Sequence, residues 1–294
     1  MTAPRQVLPG TTYLVTRRCS QRQFLLRPSR TTSEVFRYVL ALAARRYGIE
    51  VHAYCVLSNH YHLVVTDPEA RLPAFQQFLD AFVARAINAS LGRWESFWAP
   101  SSFSAVALVT PDAIVDKSAY ALANPVSAGL VRLARKWPGL WSPPDLIGAG
   151  ALEARRPDHF FDPRGLLPAA ERLELTVPPG FASPEAFRAL LGTALAEREH
   201  AAAGAIRRFQ GVARILAQRP MAQPRTTEPH RKLRPRVAAR DRWKRIEALG
   251  RLKGFLLAYR AAWAGWRDGV EEVLFPAGTY AMRILHGAAC ASAG

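Results

Sequence analysis

The stretch Tyr54-Cys55-Val56-Leu57-Ser58-Asn59-His60-Tyr61-His62-Leu63-Val64-Val65 reads as strand, tight Ser-Asn turn, strand. Side chains alternate along a strand, so residues two apart share a face. His60 and His62 therefore project from one face, and Tyr61 and Leu63 from the other. Two imidazoles side by side on a rigid strand make half of a metal site. Alone, the pair is more usually the pattern of core histidines that satisfy hydrogen bonds.

A second stretch lies about sixty residues on: Tyr120-Ala121-Leu122-Ala123-Asn124-Pro125-Val126-Ser127-Ala128-Gly129-Leu130-Val131. Thr110-Pro111-Asp112 opens a helix ahead of it, with Thr110 as N-cap and Pro111 at the first helical position. Pro125 disfavours helical geometry at Asn124, so the helix is expected to end there. Tyr120 and Asn124, four apart, share one helix face. An Asn side-chain oxygen can serve as a third metal ligand, and a Tyr one turn away as a nucleophile. Tyr120 alone would read as a core tyrosine of an amphipathic helix.

Taken together, the Asn-His-x-His-hydrophobic strand and the Tyr-x-x-x-Asn-Pro-Val-x-Ala-Gly-Leu-Val helix end resemble the single-tyrosine HUH transposases, in particular the REP-associated tyrosine transposase branch. The resemblance covers roughly residues 8 to 145. Tyr61 departs from the pattern, which places a residue without a hydroxyl between the histidines; it points away from the metal face. The resemblance implies metal-dependent nicking and strand transfer on single-stranded or hairpin DNA, through a 5′-phosphotyrosine intermediate. His60, His62 and Asn124 would hold one Mg²⁺ or Mn²⁺, and Tyr120 would attack. It also implies work as a monomer or homodimer.

The order of elements around these stretches supplies the fold. Residues 11–18 form a first strand ending in Arg17 and Arg18, which either touch DNA backbone or are a solvated strand end. Thr31-Thr32-Ser33-Glu34 is a capping-box signature opening a helix that Gly48 stops. Strands over 50–57 and 60–66 follow. A helix over about 72–91 then buries Phe75, Phe78, Leu79, Phe82, Val83 and Ile87. Ser102 to Val109 give a fourth strand. The β-α-β-β-α-β order predicts an α+β, ferredoxin-like split βαβ fold, one antiparallel sheet with helices on one face. The loop Arg93-Trp94-Glu95-Ser96-Phe97-Trp98 carries Arg93, Trp94 and Trp98, which either stack bases or plug the core edge.

Pro143-Pro144 and Gly148-Ala149-Gly150 punctuate a boundary, dividing 1–148 from a mostly helical 149–294. Within the latter, 155–182 show little period, and Ser183-Pro184-Glu185 starts a helix expected to reach about Gln210. Residues 219–236 form a basic, proline-rich linker holding Arg231, Lys232, Arg234 and Arg236, either a tether along phosphates or a connector. Residues 241–266 read as a long helix.

The 294 residues carry a net charge of +17, which calls for a polyanionic partner. No apolar run of membrane-spanning length and no signal peptide are seen, so no membrane partner and no organic cofactor are expected. Cys19, Cys55 and Cys290 lack Cys-x-x-Cys spacing and fit a reducing, cytoplasmic (nucleoid-associated) setting. Two competing readings remain: a non-catalytic hairpin-binding or regulatory protein of the same fold, and a zinc hydrolase joining His60 and His62 to Cys55 or His52.

Overall fold

A computed structural model describes residues 4–100, 103–158, 160–225 and 235–292. The first half runs β1 (Thr11–Arg18), α1 (Arg30–Tyr47), β2 (Glu50–Val56), β3 (His60–Asp67), α2 (Leu72–Ser90), β4 (Ser104–Leu108) and α3 (Pro111–Ser127). These four strands lie in the order β2-β3-β1-β4, each antiparallel to its neighbours. That is the split βαβ arrangement: α1 carries the chain over the slot that β3 fills, so β1 and β2 run parallel without touching.

β3 lies at the centre, buried along nearly its whole length. A strand buried on both faces needs cover on both. On the Tyr61 face lie α1 and α2, with Val35, Phe36, Val39, Phe75, Leu79 and Val83 all buried. Tyr61 meets Phe36 of α1 edge-on at 5.1 Å. On the His62 face lies α3, which packs on β2 and β3 through a helix burying Ala121, Leu122 and Val126. The helices thus flank the sheet on both sides rather than one, because the apolar run of β3 leaves neither face to water.

In this half, two helix ends differ from the sequence reading. Ser29, not Thr31, caps α1: its hydroxyl accepts from Thr32 N at 3.1 Å. Glu34, freed of the capping role, takes Arg30 at 2.7 Å. α3 begins at Thr110-Pro111 as expected, but the Thr110 hydroxyl is buried without a hydrogen-bond partner. It also continues through Asn124 and Pro125 to Ser127. Burial of Pro125 and Val126 holds this last turn helical despite the steric bias of Pro on Asn124.

The second half contributes β5 (Ala151–Arg155), β6 (Ala170–Glu174), α4 (Pro184–Ala205), α5 (Val212–Leu216), β7 (Val237–Ala238), α6 (Arg242–Arg267) and α7 (Ala281–His286). The β5–β6 hairpin occupies a stretch read from sequence as irregular. Past it, Thr176 N donates to Val51 O at 2.9 Å, tying this region to β2. α4, capped by Ser183, packs along α3 and ends at Ala205, short of Gln210. Just past the basic linker, β7 adds to β4 in parallel and makes the sheet five-stranded and mixed. Among the described residues, no helix is long and apolar enough to cross a membrane.

Candidate active site

His62 is the hub of the site and is 3% exposed. Strand register sets Thr16 of β1 opposite it, and the Thr16 hydroxyl lies 2.8 Å from His62 Nδ1. The Asn124 amide nitrogen lies 3.1 Å from His62 Nε2. An amide N–H donates, so Nε2 is the unprotonated nitrogen and Nδ1–H donates to Thr16. Burial, His60 and Arg18 hold the His62 pKa well below its ordinary value, so the ring is neutral, the form that binds metals.

The remaining groups gather around it. The His60 ring lies 4.9 Å from that of His62, edge-on, and its Nδ1 donates to Asn59 Oδ1 at 2.7 Å. Each imidazole therefore has Nδ1 held by a neighbour and Nε2 as its acceptor nitrogen. The Tyr120 ring lies 5.3 Å from His62 on the same side of the sheet, and is 37% exposed. Lys117 and Arg198 each stand 5.9 Å from the Tyr120 ring. A groove of about 800 Å³ opens beside it, lined by Thr16, Arg18, His62, Lys117, Tyr120 and Arg240 among others.

Two imidazoles and a side-chain amide are donor types that a divalent ion accepts, but here the Asn124 amide nitrogen is hydrogen-bonded to His62 Nε2 at 3.1 Å. Turning the Asn124 amide would present oxygen in place of nitrogen. Among the described residues, no group of three or more His, Cys, Asp or Glu side chains is arranged to hold a metal ion. The zinc reading fails on His52, which sits at a register slip between Val51 and Ala53. Both its ring nitrogens are engaged, with Thr66 Oγ1 at 2.7 Å and Thr176 O at 2.9 Å, and burial lowers its pKa to about 4. Cys55 faces His62 in register, but full burial pushes its thiol pKa up, away from the thiolate a metal needs.

The residues considered for DNA contact divide. Arg18 lies opposite His60 and lines the groove. Arg17 turns to the other face, 3.4 Å from Asp80, in a network with Tyr61 and Gln76. Trp98 is buried, edge-on to Tyr61, with its indole N–H on Asp80 O at 2.9 Å; it plugs the core and offers no face to a base. Arg93 is paired with Glu95 at 3.1 Å. Trp94 is 89% exposed. Arg236 lies on another cleft, with Arg5 and Arg251. Arg231, Lys232 and Arg234 fall outside the described residues. Thr16, Lys117, Arg198 and Arg240 carried no functional sign in the sequence, whereas Asn59 opens the Asn-His-x-His motif; only the β1–β3 register, read across from His62, could have singled out Thr16.

No family model matches this chain, and no curated protein matches it. Solved structures do. One is the structure of a REP-associated tyrosine transposase bound to a REP hairpin, 21% identical, covering 47% of this chain and 81% of that one, with a TM-score of 0.40. Another is a candidate transposase from Deinococcus radiodurans R1, 19% identical, covering 36% and 85%, with a TM-score of 0.29.

Proposed function

We propose that the protein nicks single-stranded or hairpin DNA and transfers the strand through a 5′-phosphotyrosine intermediate, with residues 1–148 carrying the chemistry. The observation that supports this most is the convergence on His62 of His60, Asn124 and Tyr120, drawn from two segments some sixty residues apart. A core histidine needs one or two hydrogen bonds; it does not need a second imidazole and a half-exposed phenol on the same side.

His60, His62 and Asn124 would hold one divalent cation. Imidazole ligands suit Mn²⁺ and abundance favours Mg²⁺. Such an ion supplies charge neutralisation at the non-bridging oxygens of a phosphodiester. Thr16 and Asn59 hold the Nδ1 side of each ring, and Asn124 would have to turn its amide to offer oxygen. Tyr120 Oη forms a bond to phosphorus, and the P–O3′ bond breaks. The phenol's proton goes to solvent, and the departing 3′ oxygen takes one up. Lys117 and Arg198 stand over the Tyr120 ring, each 5.9 Å from its centre. One phosphoester replaces another, so a second 3′ hydroxyl can reverse the exchange and complete strand transfer.

The test uses labelled single-stranded hairpin DNA from inverted repeats flanking the gene, with Mn²⁺, resolved on a denaturing gel. Wild type is expected to carry label covalently and Tyr120→Phe to carry none. No adduct from wild type on any hairpin would leave a binding or regulatory protein of the same fold.

A further inference from the structure

The groove beside Tyr120 has a second wall that the chemistry above does not use. Asp116 lies one helical turn before Tyr120 on α3. Three cations meet on it, two of them from distant parts of the chain: its neighbour Lys117 at 2.9 Å, Arg198 of α4 at 2.5 Å, and Arg240, just past β7, at 3.6 Å. Burial pushes the Asp116 carboxyl up, but Lys117 and Arg198 outweigh it and hold the pKa below the ordinary value. Lys117 and Arg198 also lie against the Tyr120 ring. Arg18, Lys117, Arg240 and Arg245 line the same groove, where Asp116 is the acidic side chain, so the groove keeps a surplus of positive charge.

We propose that Lys117, Arg198 and Arg240 form a phosphate grip for a single nucleic-acid strand, with Asp116 holding the three cations in position until the strand's phosphates take them over. A carboxylate and a phosphodiester present the same acceptor chemistry to guanidinium and ammonium groups. Cations already gathered on one anion have lost much of their rotamer freedom before the strand arrives. Arg240 retains freedom to turn outward, since its side chain is 66% exposed. The strand would run from Tyr120 along the floor of Thr16, Ser104 and Val106 and past Val237–Ala239. The second half of the chain thereby has a task at the site: α4 and the segment after β7 bring two of the three cations. Which phosphate sits by Tyr120 rests on the nicking reading; strand binding in the groove does not.

The experiment measures binding of a short fluorescein-labelled oligodeoxythymidylate to the full chain by fluorescence anisotropy, in EDTA, over a range of salt. Each phosphate contact to a single strand contributes a slope of about 0.7 in log affinity against log salt, or about fivefold in affinity near 0.1 M. Arg240→Ala and Lys117→Ala should each weaken binding by about that factor and flatten the slope by about that amount. Asp116→Asn should bind more tightly than wild type, because the three cations lose their internal partner. A merely structural ion-pair cluster gives the opposite result: affinity and slope unchanged in Arg240→Ala, and no gain in a folded Asp116→Asn. Should Asp116→Asn fail to fold, the Arg240→Ala slope decides alone. Loss of the covalent adduct with these binding shifts intact would overturn the nicking reading and leave the grip standing.

Discussion

Replacing Thr16 by Val keeps the side chain's shape and removes the acceptor for His62 Nδ1–H, now 2.8 Å away. His62 is buried, so its Nδ1–H loses the one protein partner set opposite it. An orphaned buried donor costs about 1–3 kcal/mol. For a chain of this size, each kcal/mol lowers Tm by roughly 2–4 °C. The ring can recover part of that cost by moving its proton to Nε2, with Asn124 turning its amide oxygen to accept it. That recovery removes the lone pair a cation needs. Loss of such an orienting partner typically weakens metal affinity about 10- to 100-fold. The assay is Mn²⁺ titration of wild type, Thr16→Val and Thr16→Ser by electron paramagnetic resonance, with thermal melts alongside. Thr16→Ser keeps the hydroxyl and should bind like wild type. Wild-type Mn²⁺ affinity in a folded Thr16→Val would refute the argument that Thr16 sets the tautomer.

His60→Ala and His62→Ala should abolish adduct formation while keeping hairpin affinity; an equal loss of binding would mean that the pair holds the fold. Burial raises the Asp80 pKa to about 6, above its value in the unfolded chain. The folded chain then holds the extra proton between about pH 4 and 6, so stability falls as pH rises through that window, by about 3 kcal/mol at 1.36 kcal/mol per unit. Urea unfolding of wild type against Asp80→Asn should show this difference, and parallel pH profiles would contradict it. Gly278 has φ of +84°, and a Cβ there would lie 2.7 Å from Gln6 Cγ and 3.1 Å from the Val7 carbonyl oxygen. Gly278→Ala should therefore lose more than about 1 kcal/mol in the same assay.

The parts of the fold that could be read from sequence are those with long, repeated signals. The β1–β4 order and the α2 stripe rest on alternation or helical spacing sustained over many residues. The His60-Tyr61-His62 alternation put Tyr61 and the histidines on opposite faces, and Tyr61 lies against Phe36 while His62 lies against Tyr120. Short elements left no such trace. β7 is two residues long and pairs with a strand some 130 positions earlier, which no local pattern encodes. β5 and β6 are five residues each, separated by a Pro- and Gly-containing loop. The cap of α1 was misplaced because Ser29 and Thr31 are both competent, and only the backbone conformation at Ser29 decides between them. At the site, His60, His62, Tyr120 and Asn124 are named through the family resemblance of their two motifs, since spacing alone leaves each open to a core reading. Thr16, Arg198 and Arg240 could not be named, because their roles follow from strand register and from the docking of α4 and β7.

The most direct test of the convergence on one cation is a crystal of the protein soaked in Mn²⁺, with an anomalous difference map at the manganese edge. The account predicts a single strong peak within bonding distance of His60 Nε2, His62 Nε2 and the Asn124 side-chain oxygen, on the Tyr120 side of the sheet. A map without a peak there, or with manganese bound only elsewhere, would contradict it.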